Sequence, residues 1–454
     1  MNISLNKLTM VENNSPSGNE RKHNEGDSSS LEADTSRRRF LKATGAGATL
    51  TATGFAGCMG GGGNDDTLTF GAVYILSGFA SLYGEGAENG LEMAVEGING
   101  DGGIDGREVE VITRDSEASP DTGIRQARSL VQEEDVDALI GFDSSGVAQQ
   151  VAPVVGELQV PLIVTHAATP YVTTPEDQHE RGVGNDYVFR ASNNLAQNIH
   201  GAATMAGELD AESWTTIGPD YAFGHDTWDY FRAFSDEMGH DLEYLDDGVS
   251  FPELASDDYT PHINRVLDAD PDGVITPLWG TDLITFADQA QEADFFEQVD
   301  HTLVSVGLGT DVLSSDWQLL EGEMASTRYW FQNPDTETNN TFAETFMDEY
   351  GRPPSYNSEG AYRGMHLYKD VIESAGSADA DDVIDELEGF EHSGPVGDYR
   401  INPDTHQAEL PSVWGETVSD SEYETSVIDP VHRRDAPPDE LRSLLEDSDL
   451  PSGV

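Results

Sequence analysis

The chain has 454 residues and a formal net charge of −63, with 86 Asp and Glu against 23 Lys and Arg. That length suits two domains of ordinary size, each with its own core. The acidic balance leaves nothing to neutralise phosphates, which excludes nucleic acid as a partner, and a 37% share of hydrophobic residues, recurring periodically, excludes an acidic disordered chain.

The leader comes first. In Ser36-Arg37-Arg38-Arg39-Phe40-Leu41-Lys42 the paired Arg37 and Arg38 read as a twin-arginine export signal. The segment from Ala43 to Gly57 is too short, and too rich in Gly, Ala and Thr, to span a bilayer of roughly 30 Å. Cys58 is the sole cysteine, so no intramolecular disulfide can form. Gly57-Cys58 resembles the cleavage site of secreted lipoproteins, in which the cysteine becomes the lipidated first residue. Residues 1–57 are therefore expected to be a leader and signal, and residues 58–66 a lipid-anchored cysteine with a flexible spacer. Beyond Cys58 only one lysine remains, Lys369. Such a surface repels itself in dilute buffer and is screened in molar salt, where the Debye length is roughly 3 Å; the composition reads as that of an extreme halophile.

From Thr67 strands and helices alternate. Leu68 to Tyr74 reads as a strand, and Leu91, Ala94, Val95 and Ile98 mark one helix face. After the break at Asp101-Gly102-Gly103 come a strand at Val109 to Ile112, a helix through Ile124 to Val131, a strand at Ala138 to Ile140, a helix from Val147 to Leu158 and a strand at Pro161 to Val164. Such alternation implies βαβ units and a parallel sheet. A second series follows, with strands at Trp214 to Ile217, Gly273 to Thr276 and Thr302 to Val306 set between helices. Two successive series predict two lobes. Later helices are expected near Thr341 to Glu349 and Glu359 to Ser374, short β pieces from Val396 to Trp414, and an acidic tail over residues 431–454 that is frayed from Ala436 to Val454.

No catalytic or metal motif stands out: His-Glu-x-x-His, Gly-x-Ser-x-Gly and cysteine pairs are all missing, and the twelve histidines are scattered. No cofactor is implied, and an enzyme is not expected. Gly84-x-Gly86 with Gly90 has its third glycine one position late for a dinucleotide loop. Two loops suit binding better. Gly141-Phe142-Asp143-Ser144-Ser145-Gly146 ends a strand and opens a helix, whose unpaired amides can receive a carboxylate, with the Ser145 hydroxyl either a further donor or a simple cap. Thr165-His166-Ala167-Ala168-Thr169-Pro170 also follows a strand, at the carboxyl edge where open α/β sheets bind ligands.

These residues, with Ser81-Leu82-Tyr83-Gly84, Gly102-Gly103-Ile104-Asp105-Gly106-Arg107, Asp115 to Pro120, Pro354-Ser355-Tyr356 and Gly394-Pro395-Val396-Gly397, follow in an order that resembles the periplasmic leucine/isoleucine/valine-binding proteins, over roughly Thr67 to Glu416. The resemblance implies an α/β, type I periplasmic-binding-protein fold: two lobes, each a parallel sheet flanked by helices, joined by a three-strand hinge. It implies lobes formed by residues 67–190 plus 328–394 and 191–327 plus 395–430, with crossings near Arg190-Ala191, Thr327-Arg328 and Gly394 to Gly397. It implies an extracellular binding component of an ABC importer, partnered by permease and ATPase subunits and held to the membrane by a lipid, for branched-chain amino acids or related amides and carboxylates. The same clamp could instead feed a membrane chemosensory transducer. The family's carboxylate site carries over to Ser144 or Ser145, Ala167, Ala168 and Thr169; its aromatic walls to Tyr83, Tyr221, Phe223 and Trp279; and its ammonium-binding acid to Asp311, if the loop after Val306 is shifted.

Overall fold

The computed structural model describes residues 67–454 except 307, 314–320, 421, 422, 424 and 430. Arg37, Arg38 and Cys58 lie outside the described residues. Among the described residues no helix is long and apolar enough to cross a membrane.

The first series gives β1 (Thr67–Tyr74), α1 (Ser81–Gly100), β2 (Glu108–Asp115), α2 (Pro120–Gln132), β3 (Ala138–Gly141), α3 (Ser145–Leu158), β4 (Leu162–Val164) and β5 (Val188–Arg190). Its sheet runs β2-β1-β3-β4-β5 with every pairing parallel. The inner strands β3 and β4 are buried along their whole length, as strands covered on both faces must be.

The second series comprises α4 (Leu195–Glu208), β6 (Ser213–Thr216), α5 (Ala222–Glu237), β7 (Glu243–Tyr244), α6 (Thr260–Ala269), β8 (Gly273–Thr276), α7 (Gly280–Glu292), α8 (Phe295–Gln298), β9 (His301–Val304), α9 (Thr310–Leu313) and β10 (Met324–Thr327). The chain then returns to the first lobe as α10 (Glu337–Tyr350), α11 (Tyr356–Ala375), α12 (Ala380–Leu387) and a hairpin of β11 (Glu391–Gly394) and β12 (Gly397–Arg400). It re-enters the second lobe as β13 (Ser412–Asp420), β14 (Thr425–Ile428), β15 (His432–Arg434) and α13 (Pro438–Leu444). That lobe's sheet runs β14-β13-β10-β9-β8-β6-β7, with β15 on β13. Strands β6 to β10 pair in parallel, but β13 to β15 add an antiparallel edge.

Helix α11 lies along α1. Gly90 permits this contact: a Cβ there would stand 1.9 Å from the Ser358 carbonyl oxygen. Within α11, Glu359 and Arg363 form an ion pair at 2.7 Å and are 0% and 2% exposed.

Three connections join the lobes, and the third differs from the expectation. Gly394 to Gly397 is a hairpin turn, tightened by Gly397 at φ +98, and both its strands pair with each other. The crossing is made further on, at His406 to Pro411. There it zips onto the first connection: Arg190 N donates to His406 O at 2.8 Å and Ala408 N to Arg190 O at 2.9 Å. The second connection leaves β10 at Arg328. The tail is not frayed either. Helix α13 packs on α4 and α5, Asn194 Nδ2 donates to Ser452 O at 3.0 Å, His179 Nε2 meets Asp449 O at 2.8 Å, and Val454 is buried. Its few apolar residues, Leu441, Leu445 and Val454, decide this against its charge.

Candidate functional site

Between β3 and α3 the chain turns sharply. Gly141 has φ +120 and Phe142 φ +64, and a Cβ on Gly141 would meet Val73 O at 2.6 Å. The turn sets α3's first amides at the mouth of the cleft. Ser144 is the N-cap residue, without a side-chain capping bond, so Ser145 is not the cap. Instead Ser145 Oγ accepts from the backbone N–H groups of Ala168 and Thr169, each at 3.2 Å. The helix start and the second loop are thus bound together. Replacing Ser145 by alanine is expected to weaken ligand binding about 10-fold by calorimetry. Thr169→Ala, which keeps the amide, is expected to cost far less.

The first lobe contributes Tyr83, Asp143, Ser145, His166 and Ala168 to a small cavity, and Tyr356 and Asn357 from the start of α11. The second lobe contributes Tyr221, Phe223, Trp279 and Val306. Arg328, on the connection, completes the lining. Aromatic rings meet across the cleft, where Tyr83 stacks on Trp279 with centroids 5.8 Å apart and planes at 20°; within the first lobe Tyr83 meets Tyr356 edge-on at 5.8 Å. The Tyr83 hydroxyl accepts from Gly280 N at 3.0 Å. The cavity between these walls is small, and the contacts of Tyr83 with Trp279 and Gly280 join the two lobes beside it.

Two buried arginines set the electrostatics. Arg190 is fully buried; Nη1 donates to Gln407 Oε1 at 2.9 Å and Nη2 to the Thr169 carbonyl. Burial, and then Arg328 nearby, pushes its pKa down to about 9. Arg328 is 8% exposed, donates through Nη1 to the His166 carbonyl and lies over the Tyr356 ring, 5.3 Å from its centroid. Burial lowers its pKa, and its Nε has no partner. Among the described residues neither arginine is in an ion pair. A buried cation outside any ion pair is costly, and the charge of Asp143 on the same cavity wall offsets that of Arg328 only in part.

Of the residues singled out from the sequence, the structure brings Tyr83, Ser145, Ala168, Tyr221, Phe223 and Trp279 together on the cavity. Ser144, Ala167, Thr169 and Asp311 are not on its wall. Ala167 N is committed to Phe142 O at 2.9 Å, and Thr169 offers its amide to Ser145. Asp311 is buried beneath the site; its Oδ2 accepts from Asn357 Nδ2 at 2.9 Å, and burial raises its pKa. It is not placed to receive an ammonium group. Asp143, His166, Val306, Arg328, Tyr356 and Asn357 were not anticipated as cavity residues. A signal existed for Arg328: a lone basic residue at a lobe crossing in a chain this acidic. Among the described residues no cluster suited to a metal ion occurs.

The model for periplasmic binding proteins matches residues 67–421. The chain belongs to the periplasmic binding protein family. This family member is 28% identical over 354 residues to the Leu/Ile/Val-binding protein homolog 6 of Brucella suis biovar 1, covering 75% of this chain and 85% of that one. In fold it is similar to a solute binding protein of an ABC transporter from Rhodopseudomonas palustris BisB5, solved with 3,4-dihydroxy benzoic acid, at TM-score 0.73 and 23% identity, covering 83% of this chain and 100% of that one. It is also similar to the leucine binding protein LivK of Thermotoga maritima, at TM-score 0.69 and 19% identity, covering 82% and 99%. The fold of this binding protein is accordingly type I: two α/β lobes about a hinge.

Proposed function

We propose that this binding protein is the extracellular substrate-binding component of an ABC importer and takes a small carboxylate with an apolar body, aromatic or branched. One observation carries the reading: Arg328 is buried on the wall of the cavity that Ser145 and the aromatic rings also line, and it is in no ion pair among the described residues, although the Asp143 charge acts on it. The carboxylate would lie between Arg328 and the Ser145, Ala168 and Thr169 loops, and the body between Tyr83, Trp279, Tyr221 and Phe223. Relatives named for leucine, isoleucine and valine, and a fold neighbour holding an aromatic acid, support that range. Closure then excludes water and presents one shape to the permease. Export by the twin-arginine route and a lipid on Cys58 complete the proposal, which places the protein at the outer face of the membrane.

The test is calorimetry with small-angle scattering in molar salt, using benzoate, leucine and their uncharged counterparts benzamide and leucinol. At least one acid is expected to bind with micromolar affinity, about 8 kcal/mol, to exceed its uncharged counterpart 10-fold or more, and to change the scattering profile. Equal affinity for acids and uncharged counterparts would overturn the reading.

A further inference from the structure

Asp143, on the cavity wall, has a carboxylate oxygen that nothing described so far satisfies, as Trp279 has its Nε1. Asp143 is 3% exposed. Its Oδ2 is held by the Ile75 amide at 2.6 Å, which ties the loop before α3 to the end of β1. Its Oδ1 receives no hydrogen bond. The nearest candidate is His166 Nδ1 at 3.2 Å, but that nitrogen is already used. His166 Nε2 faces the Asn357 carbonyl at 2.9 Å, and a carbonyl only accepts, so Nε2 carries the proton. With the ring protonated at Nε2 alone, Nδ1 accepts, and Thr165 Oγ1 at 2.7 Å supplies the hydrogen. In that state Thr165 Oγ1 is free to accept from Tyr74 Oη, 3.4 Å away. The chain from Tyr74 through Thr165 and His166 to Asn357 is satisfied at every link, and it ends without a proton for Asp143 Oδ1.

We infer that Asp143 accepts a hydrogen bond from the solute, so that the ligand carries, besides its carboxylate, a donor group: a hydroxyl or an ammonium. This rests on the carboxylate reading above and narrows it. Asp143 takes the part that the resemblance assigned to an acid after β9, where Asp311 is occupied by Asn357. The two charges on the wall divide the work: Arg328 meets the anionic end of the solute and Asp143 its donor. A site built around a buried acceptor discriminates strongly against an analogue lacking the donor, because the acceptor is then buried unpaired.

The test pairs acids that differ only in that group: 4-hydroxybenzoate against benzoate for the hydroxyl, and leucine against 4-methylpentanoate for the ammonium. Affinities are measured by calorimetry in molar salt on the wild type, Asp143→Asn and Asp143→Ser, with thermal melts to establish folding. Asparagine keeps an oxygen for the Ile75 amide while placing a donor on the cavity. The wild type is expected to prefer the donor-bearing acid at least 10-fold in one pair, the pair identifying the group. Both variants are expected to lose that preference, Asp143→Asn while still binding the plain acid. Acids that bind without preference in either pair would overturn the inference and leave the carboxylate reading standing, as would a preference surviving in either folded variant. If no acid binds at all, the carboxylate reading falls and takes this inference with it.

Discussion

Arg328→Met is expected to weaken binding of the preferred carboxylate about 100-fold while leaving the unliganded protein as stable as the wild type or more so. The two halves of that result have separate causes. A hydrogen bond to a charged group contributes about 1.5–3 kcal/mol, and a fork-shaped guanidinium can make two to one carboxylate. Methionine of similar length keeps the apolar packing against Tyr356 and removes both. In the unliganded protein the same guanidinium is a buried cation in no ion pair among the described residues, and replacing such a charge by an apolar group relieves desolvation. Calorimetry checks the first half and a thermal melt in molar salt the second. A large loss of stability together with the loss of binding would make Arg328 a structural residue of the hinge rather than a ligand contact.

Glu359→Gln should do the reverse: lower stability by about 3–5 kcal/mol and leave ligand affinity little changed. The Glu359 carboxylate makes bonds of 2.7 and 3.0 Å to the Arg363 guanidinium one helical turn on, and both side chains are buried. The Tyr399 ring lies over the same guanidinium, 5.4 Å from its carbon, and Nη1 has no partner of its own. Without the carboxylate, the lobe would hold an unpaired arginine in its core. Surface pairs such as Arg128–Glu157, with side chains 40% and 65% exposed, are screened in molar salt and contribute little. The Glu359 pair is out of reach of that screening. Chemical denaturation in high salt measures the difference, and an unchanged midpoint would show that the pair contributes nothing net.

Much of the fold was legible because its inner strands are continuous apolar runs and its helices carry one apolar face, as in Ala138 to Ile140 and Leu91, Ala94 and Ile98. Periodicity reports burial directly, and burial is what a two-lobed α/β body imposes. The third crossing was not legible. Gly394-Pro395-Val396-Gly397 has the composition of any tight turn, and only pairing between Glu391–Gly394 and Gly397–Arg400 shows it to be a hairpin. The tail misled through its charge: a handful of buried apolar residues outweighs many solvated carboxylates, which cost little where they are exposed. At the site, the loop residues Ser145 and Ala168 and the four aromatic residues were readable from local motifs. Asp143 and Tyr356 were not, and Arg328 only as a basic residue at a lobe crossing, because each reaches the cavity from a position that the meeting of distant segments determines. Asp311 was misplaced for the same reason: its partner Asn357 stands 46 residues further along the chain.

The joining of two of the three connections has a mechanical outcome. Bonded together at Arg190 and His406 to Ala408, they act as one stiff post, and the strand at Arg328 stands alone beside it. A rotating body moves least near its axis. When the lobes swing apart, Trp279 and Tyr83 sweep the widest arc, whereas the guanidinium at the fulcrum barely shifts. On the proposed reading, the positive charge would already be in position in the gaping form, and a carboxylate would be captured first by its anionic end, before the rings swing over it.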